Sequence, residues 1–110
     1  MQKWILSVET TCTDAAKEKE FNDWYNKIHI PDILEIPGIM RATRYENSNP
    51  GEGRGKYVAL YEIETDDLGQ TMAALGKKVG EATQKGRMSP LCKVVAGIPM
   101  REIFKKAKGK

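Results

Sequence analysis

The stretch EFNDWYNKIHIPDILEIPGI, residues 20–39, carries adjacent aromatics (Trp24 and Tyr25), the only histidine of the chain (His29) and two prolines. Phe21, Trp24, Tyr25 and Ile28 recur at i, i+3, i+4 and i+7, which is one face of a helix. Upstream, TTCTD at 10–14 is a run of helix-capping residues, so Thr13 or Asp14 is expected to cap a helix through AAKEKEFNDWYNKIH, whose acidic first half suits a helix N-terminus. Pro31 disfavours helical backbone at Ile30, so this helix is expected to stop or bend just after His29. PDILE then restarts as a short turn with Pro31 at a first helical position, and Pro37-Gly38 breaks the chain again.

Outward from this helix the pattern changes to strands. KWILSVE at 3–9 is rich in β-formers, IMRATRYEN at 39–47 and KYVALYEIE at 56–64 read as two further strands, and NSNPGEGRG at 47–55 is the loop of an antiparallel hairpin. Asp66-Asp67 opens a second helix, with Leu68, Met72, Leu75 and Val79 on one face. Gly69, Gly76 and Gly80 weaken that helix, and Gly86 is placed to terminate it. CKVVAGIPMREIFKK is a last strand with an interruption around Gly97–Pro99, and its proline suits an edge position or a bulge. The order β-α-β-β-α-β is the α+β ferredoxin-like split βαβ, with both helices on one face of a four-stranded antiparallel sheet. The third strand is apolar on both faces (Tyr57, Ala59, Tyr61 against Val58, Leu60), so the open face is expected to pair with a second copy in a two-fold homodimer.

With 110 residues the chain is one domain, expected over 1–105 with a basic flexible tail at 106–110. A net charge of +3, much of it in that tail, makes no basic stripe and speaks against nucleic acid. There is no apolar run of about 20 residues for a membrane span. MQKWILSVETTC lacks the continuous apolar segment of a signal peptide. Cys12 and Cys92 have no zinc-ligand spacing and no clustered histidines, and they fit a reducing cytoplasm, with Cys92 read as an inert buried thiol.

His29 is the side chain suited to proton exchange near neutral pH, and a helix C-terminus favours its charged form. Asn22, Tyr25 or Asn26, and His29 make a polar stripe beside the apolar one; Trp24 and Tyr25 would wall a pocket and Asn22 would orient a ligand carbonyl. The alternative is a helix-end histidine bonded to a carbonyl, with both aromatics in the core. Tyr57 and Tyr61 share a strand face; a tyrosine such as Tyr61 would donate to a carbonyl or enolate, or else simply pack across strands. GEGRG at 51–55 precedes a strand, not a helix, and lacks the Lys-Ser ending of a phosphate loop. No Ser-His-Asp pattern is present. Glu62 and Glu64, if turned into an interface, need partners such as Arg41 or Arg44.

The run F-x-x-W-Y-x-x-x-H-x-P-x-x-L-x-x-P-G-I, followed by A-T-R-Y, resembles the dimeric α/β-barrel superfamily, in particular its EthD-like small proteins. That superfamily includes muconolactone-type isomerases, polyketide cyclases, cofactor-independent quinol monooxygenases and haem-degrading enzymes. The resemblance implies ferredoxin-like monomers paired sheet to sheet, a ligand pocket between helices and sheet, and His29 as a residue acting on a substrate proton. Many such sequences have a tyrosine where this chain has Ala42, so the resemblance gives no ground for a pocket role of Tyr45. Without a second histidine, haem degradation is disfavoured. The expectation is a cytoplasmic homodimer performing isomerase-, cyclase- or lyase-like proton transfer on a hydrophobic oxygenated ligand (aromatic or lactone-like), with no metal or organic cofactor. Its alternatives are a non-catalytic ligand-binding or accessory dimer, and a quinol or anthrone monooxygenase.

Overall fold

Alternating burial along β3 (Tyr57–Thr65), where Tyr57, Ala59, Tyr61 and Ile63 are all buried, sets the inner face of a four-stranded antiparallel sheet. The computed structural model describes residues 1–109; Lys110, the last residue of the expected tail, lies outside the described residues. The strands are β1 (Gln2–Cys12), β2 (Ile39–Glu46), β3 and β4 (Cys92–Arg101), in spatial order β2-β3-β1-β4. Helices α1 (Glu18–Trp24), α2 (Ile30–Ile33) and α3 (Leu68–Gln84) complete the ferredoxin-like order. Among the described residues no helix is long and apolar enough to cross a membrane.

Both main helices start where the sequence places acidic caps. Asp14 accepts from the Ala16 amide at a 3₁₀ turn (Ala15–Lys17) leading into α1, and Asp67 accepts from the Gln70 amide at the start of α3. The end of α3 is a Schellman motif: Gly86 takes φ +70°, its amide donates to Thr83, and the Arg87 amide donates to Ala82.

Of the expected stop or bend after His29, the stop does not occur, while Pro31 does stand in the first turn of α2. Ile30 stays helical (φ −58°, ψ −48°), and the chain runs from α1 through a π-helical turn, Tyr25–His29, straight into α2. The Ile30 amide donates to Tyr25 five residues back, so the turn holds one residue more than an α-turn. Pro31 follows directly and has no N–H to donate, so the ladder is interrupted at the same place. The extra residue also shifts the phase of the helix. Ile28, expected on the core face, stays outside the core cluster, while His29 comes under Tyr25.

Pro99 lies on β4, an edge strand, where a missing donor is tolerated. The irregularity expected at Gly97–Pro99 instead falls between Val94 and Ala96, opposite the Glu9/Thr10 step of β1. The outer sheet face is open. Met40 is 61% exposed, Tyr45 55% and Ile98 51%, and Ile5, Leu60 and Met100 line a shallow groove there. Around it Arg41 pairs with Glu62 at 3.7 Å and Lys3 with Glu64 at 3.8 Å. Arg44 takes no part in this, because it points to the helix side.

Candidate functional site

The inner face carries two differently packed halves. Under α1, Phe21 is fully buried and packs on Tyr57 and Tyr25, with ring centroids 5.5 Å and 5.8 Å away. Under α3, only Thr71 and Ala82 of the helix are buried, while Met72, Leu75 and Val79 are half-buried. Between this helix and the sheet lies a cavity of about 240 Å³. Its wall is apolar, from Leu6, Val8, Ile33, Leu75 and Val79 among others, with polar points at Thr10, Tyr25, His29, Tyr61 and Cys92. That volume is slightly below the ~300–1,000 Å³ usual for ligand sites, so it suits a small ligand.

His29 sits in the wall with its imidazole stacked on Trp24 (centroids 4.9 Å, planes 22° apart) and edge-on to Tyr25 (4.9 Å, 82°). Burial lowers its pKa to about 4; the Asp32 carboxylate opposes this and Arg44 reinforces it. The imidazole is therefore neutral at pH 7, against the charged form that a simple helix end would favour. A neutral imidazole offers one lone pair to a proton.

The Tyr25 and Tyr61 hydroxyls meet at 3.4 Å on the same wall, and burial pushes both above the ordinary phenol range. Two hydroxyls hold two protons and their mutual bond uses one, which leaves a donor for a ligand oxygen. Behind Tyr25 stands Arg44, its guanidinium 4.1 Å from the ring centroid. Its Nη1 donates to Asn26 Oδ1 and its Nη2 to Asn22 Oδ1, both at 2.8 Å, while Nε is buried without a partner. No carboxylate pairs with this half-buried cation among the described residues.

Of the residues singled out in the sequence, His29, Tyr25 and Tyr61 converge on the cavity. Asn22 and Trp24 do not line it. Asn22 is held by Arg44 and donates to the Tyr57 hydroxyl at 3.3 Å, which in turn donates to Glu18 at 2.7 Å. The Trp24 indole donates to the Arg87 carbonyl at 2.7 Å, and Arg87 grips Asp32 with two bonds of 2.8 and 2.9 Å. That pair strongly favours the Asp32 carboxylate and lowers its pKa. Trp24 thus backs His29 from outside the cavity.

Arg44, Thr10 and the α3 residues escaped the sequence reading as site residues. Strand parity puts Arg44 and Ala42 on one face, but which face is inward depends on the register of β2 with β3. The glycines of α3 gave no signal of the cavity, because Gly69, Gly76 and Gly80 are exposed and lie outside its lining. Among the described residues no group of three or more His, Cys, Asp or Glu side chains is placed to hold a metal ion.

A helix pair over one face of a four-stranded antiparallel sheet, with a cavity between the layers, defines an α+β ferredoxin-like domain. In fold the chain is similar to several solved structures. It superposes on an ethyl tert-butyl ether D (EthD) family protein from Bacillus halodurans with a TM-score of 0.52 and 19% identity, over 94% of this chain and 100% of that one. HapK from Hahella chejuensis matches with a TM-score of 0.68 and 16% identity, over 97% of this chain and 99% of that one. A dimeric ferredoxin-like protein from an uncultured marine organism matches with a TM-score of 0.68 and 14% identity, over 96% and 100%. In sequence, 60 residues are 30% identical to core atranone cluster (CAC) protein 1 of Stachybotrys chlorohalonatus, covering 54% of this chain; the match spans a quarter (25%) of that protein's length. No family model matches the chain.

Proposed function

We propose that the protein is a homodimeric small-molecule enzyme in which His29 takes a proton from a hydrophobic, oxygenated ligand held in the cavity. One observation carries this reading: a neutral imidazole and a tyrosine hydroxyl pair share the wall of one apolar cavity. A carbonyl compound bound there would give up an α-proton to His29 while the Tyr25–Tyr61 pair donates to the developing enolate oxygen. The carbonyl-orienting role expected of Asn22 passes to these hydroxyls. The imidazolium so formed would be held against the enolate anion, which offsets the low pKa of the empty site. Returning the proton to another carbon completes an isomerisation or cyclisation, and no cofactor is called on. A well-placed base of this kind contributes about 10²–10⁴-fold.

The homodimer rests on the open apolar outer face and on the dimeric ferredoxin-like protein of the same fold. A cytoplasmic location rests on the two unpaired thiols. The test is α-proton exchange of bicyclic aryl ketones and lactones in D₂O, starting with 2-tetralone and followed by NMR. Protein-dependent exchange that disappears in His29→Ala, with the oligomer intact, is the expected result. Exchange that survives the substitution overturns the role of His29.

A second reading has its own support: the low basicity of a buried imidazole suits accepting a hydrogen bond better than taking a proton. In that case the probes bind, binding weakens in His29→Ala, and no exchange occurs. Oxygen uptake with a quinol or anthrone would instead place the protein among monooxygenases.

A further inference from the structure

The two cysteines of the chain lie 80 positions apart, yet they are direct cross-strand partners: Cys12 on β1 faces Cys92 on β4. The next pair outward, Thr13 and Leu91, is joined by an amide-to-carbonyl bond of 2.9 Å. Hydrogen-bonded and non-hydrogen-bonded pairs alternate along an antiparallel ladder, so Cys12 and Cys92 occupy a non-hydrogen-bonded pair. In such a pair the Cα atoms lie about 4.5 Å apart and the side chains stand close on one face. Disulfides accept Cα separations of about 4.4–6.8 Å, so this pair falls at the short end of the permitted range. β4 is an edge strand and Cys92 is its first residue, which leaves its backbone free to adjust by tenths of an ångström. Both thiols are free and half-buried, and Cys92 lines the cavity.

We propose that Cys12 and Cys92 form a reversible thiol–disulfide pair at the edge of the cavity, closed by a peroxide. The Cys12 thiolate attacks one peroxide oxygen; the O–O bond breaks, a sulfenic acid forms and hydroxide leaves to be protonated to water. The Cys92 thiol then attacks that sulfur, the S–O bond breaks, and a second water departs as the S–S bond forms. In sum two thiols lose two protons and two electrons, and one hydrogen peroxide becomes two waters. The order of attack follows from placement: Cys12 is the last residue of β1 and lies outside the cavity lining, whereas burial keeps the Cys92 thiol in the cavity wall protonated. The closed bridge removes the Cys92 S–H from the cavity wall, so the oxidation state of the pair alters the surface a ligand meets. This inference stands independently of the proposed proton transfer.

The test is to treat the protein with hydrogen peroxide, block the remaining thiols under denaturing conditions and map the peptides. Expected is the joint loss of both titratable thiols, a Cys12–Cys92 linked peptide, a rate independent of protein concentration, and full recovery with dithiothreitol. In Cys92→Ser a sulfenic acid is trapped at Cys12 by dimedone. Independent loss of the two thiols, disulfides only between chains, or irreversible over-oxidation of wild type without the linked peptide overturns the proposal.

Discussion

Helices α1 and α3 cover the same sheet face but do so with opposite packing. The first brings Phe21, Trp24 and Tyr25, three large rings within 6.2 Å of one another. The second brings Met72, Leu75 and Val79, all half-buried, and leaves a cavity of about 240 Å³. The difference teaches that one helix closes tightly on the sheet while the other leaves open volume against it. His29, Tyr25 and Tyr61 lie where the two halves meet. Tight packing and open volume therefore lie under different helices, and that division is open to experiment.

The largest effect belongs to the filled half. Phe21→Ala removes a fully buried ring, and large-to-small core changes of this kind cost about 3–5 kcal/mol, read from urea unfolding. A loss below about 1 kcal/mol would show that the α1 half is not the structural one.

Next comes the pH response at the boundary. The folded pKa of His29 is about 4 against an ordinary 6.5, so the unfolded chain binds its proton first as pH falls. The contribution of neutral His29 is complete above pH 6.5 and is lost progressively as the pH drops toward 4. It amounts to about 3 kcal/mol at most. A His29→Gln variant should lose this acid-side slope between those limits, and an unchanged slope would place the titration elsewhere.

Arg44→Ala has a smaller effect. It strips Asn22 and Asn26 of their donors and Tyr25 of the cation behind its ring. Removing a half-buried cation without a counter-charge offsets part of that, so the net cost is about 1–2 kcal/mol by chemical denaturation.

The smallest change sharpens the loose half. Gly80→Ala adds a methyl group into open space in a helix interior and should stabilise by about 0.5–1 kcal/mol without touching the cavity. Thermal melting with and without 2-tetralone would read both quantities. A destabilised variant would mean that α3 packs more closely than its exposed glycines indicate.

Much of this was legible in residues. The spacing of Phe21, Trp24 and Tyr25, the caps at Asp14 and Asp67, Gly86 at the end of α3 and the antiparallel hairpin around 47–55 all follow from local rules, and each occurs as read. His29 and Tyr25 were legible as neighbours one turn apart. Pro31 was placed correctly in the first turn of α2, but Ile30 was misread, because a rule about the residue before a proline competes with a helix that can absorb an extra residue in a π turn. Asn22 was misread for a different reason: its partner Arg44 comes from a strand whose inward face no local pattern reveals.

The sequence by itself determined the ferredoxin-like order of elements, the apolar face of each helix and the presence of one imidazole at the end of an aromatic helix. These are short-range properties, written in spacings of two to four residues. Only the tertiary structure decided that His29 turns inward and neutral, that Tyr25 meets Tyr61, that Arg44 stands behind them and that Cys12 faces Cys92. Each of those depends on strand register or on the volume left between two layers, quantities that arise only when distant segments meet.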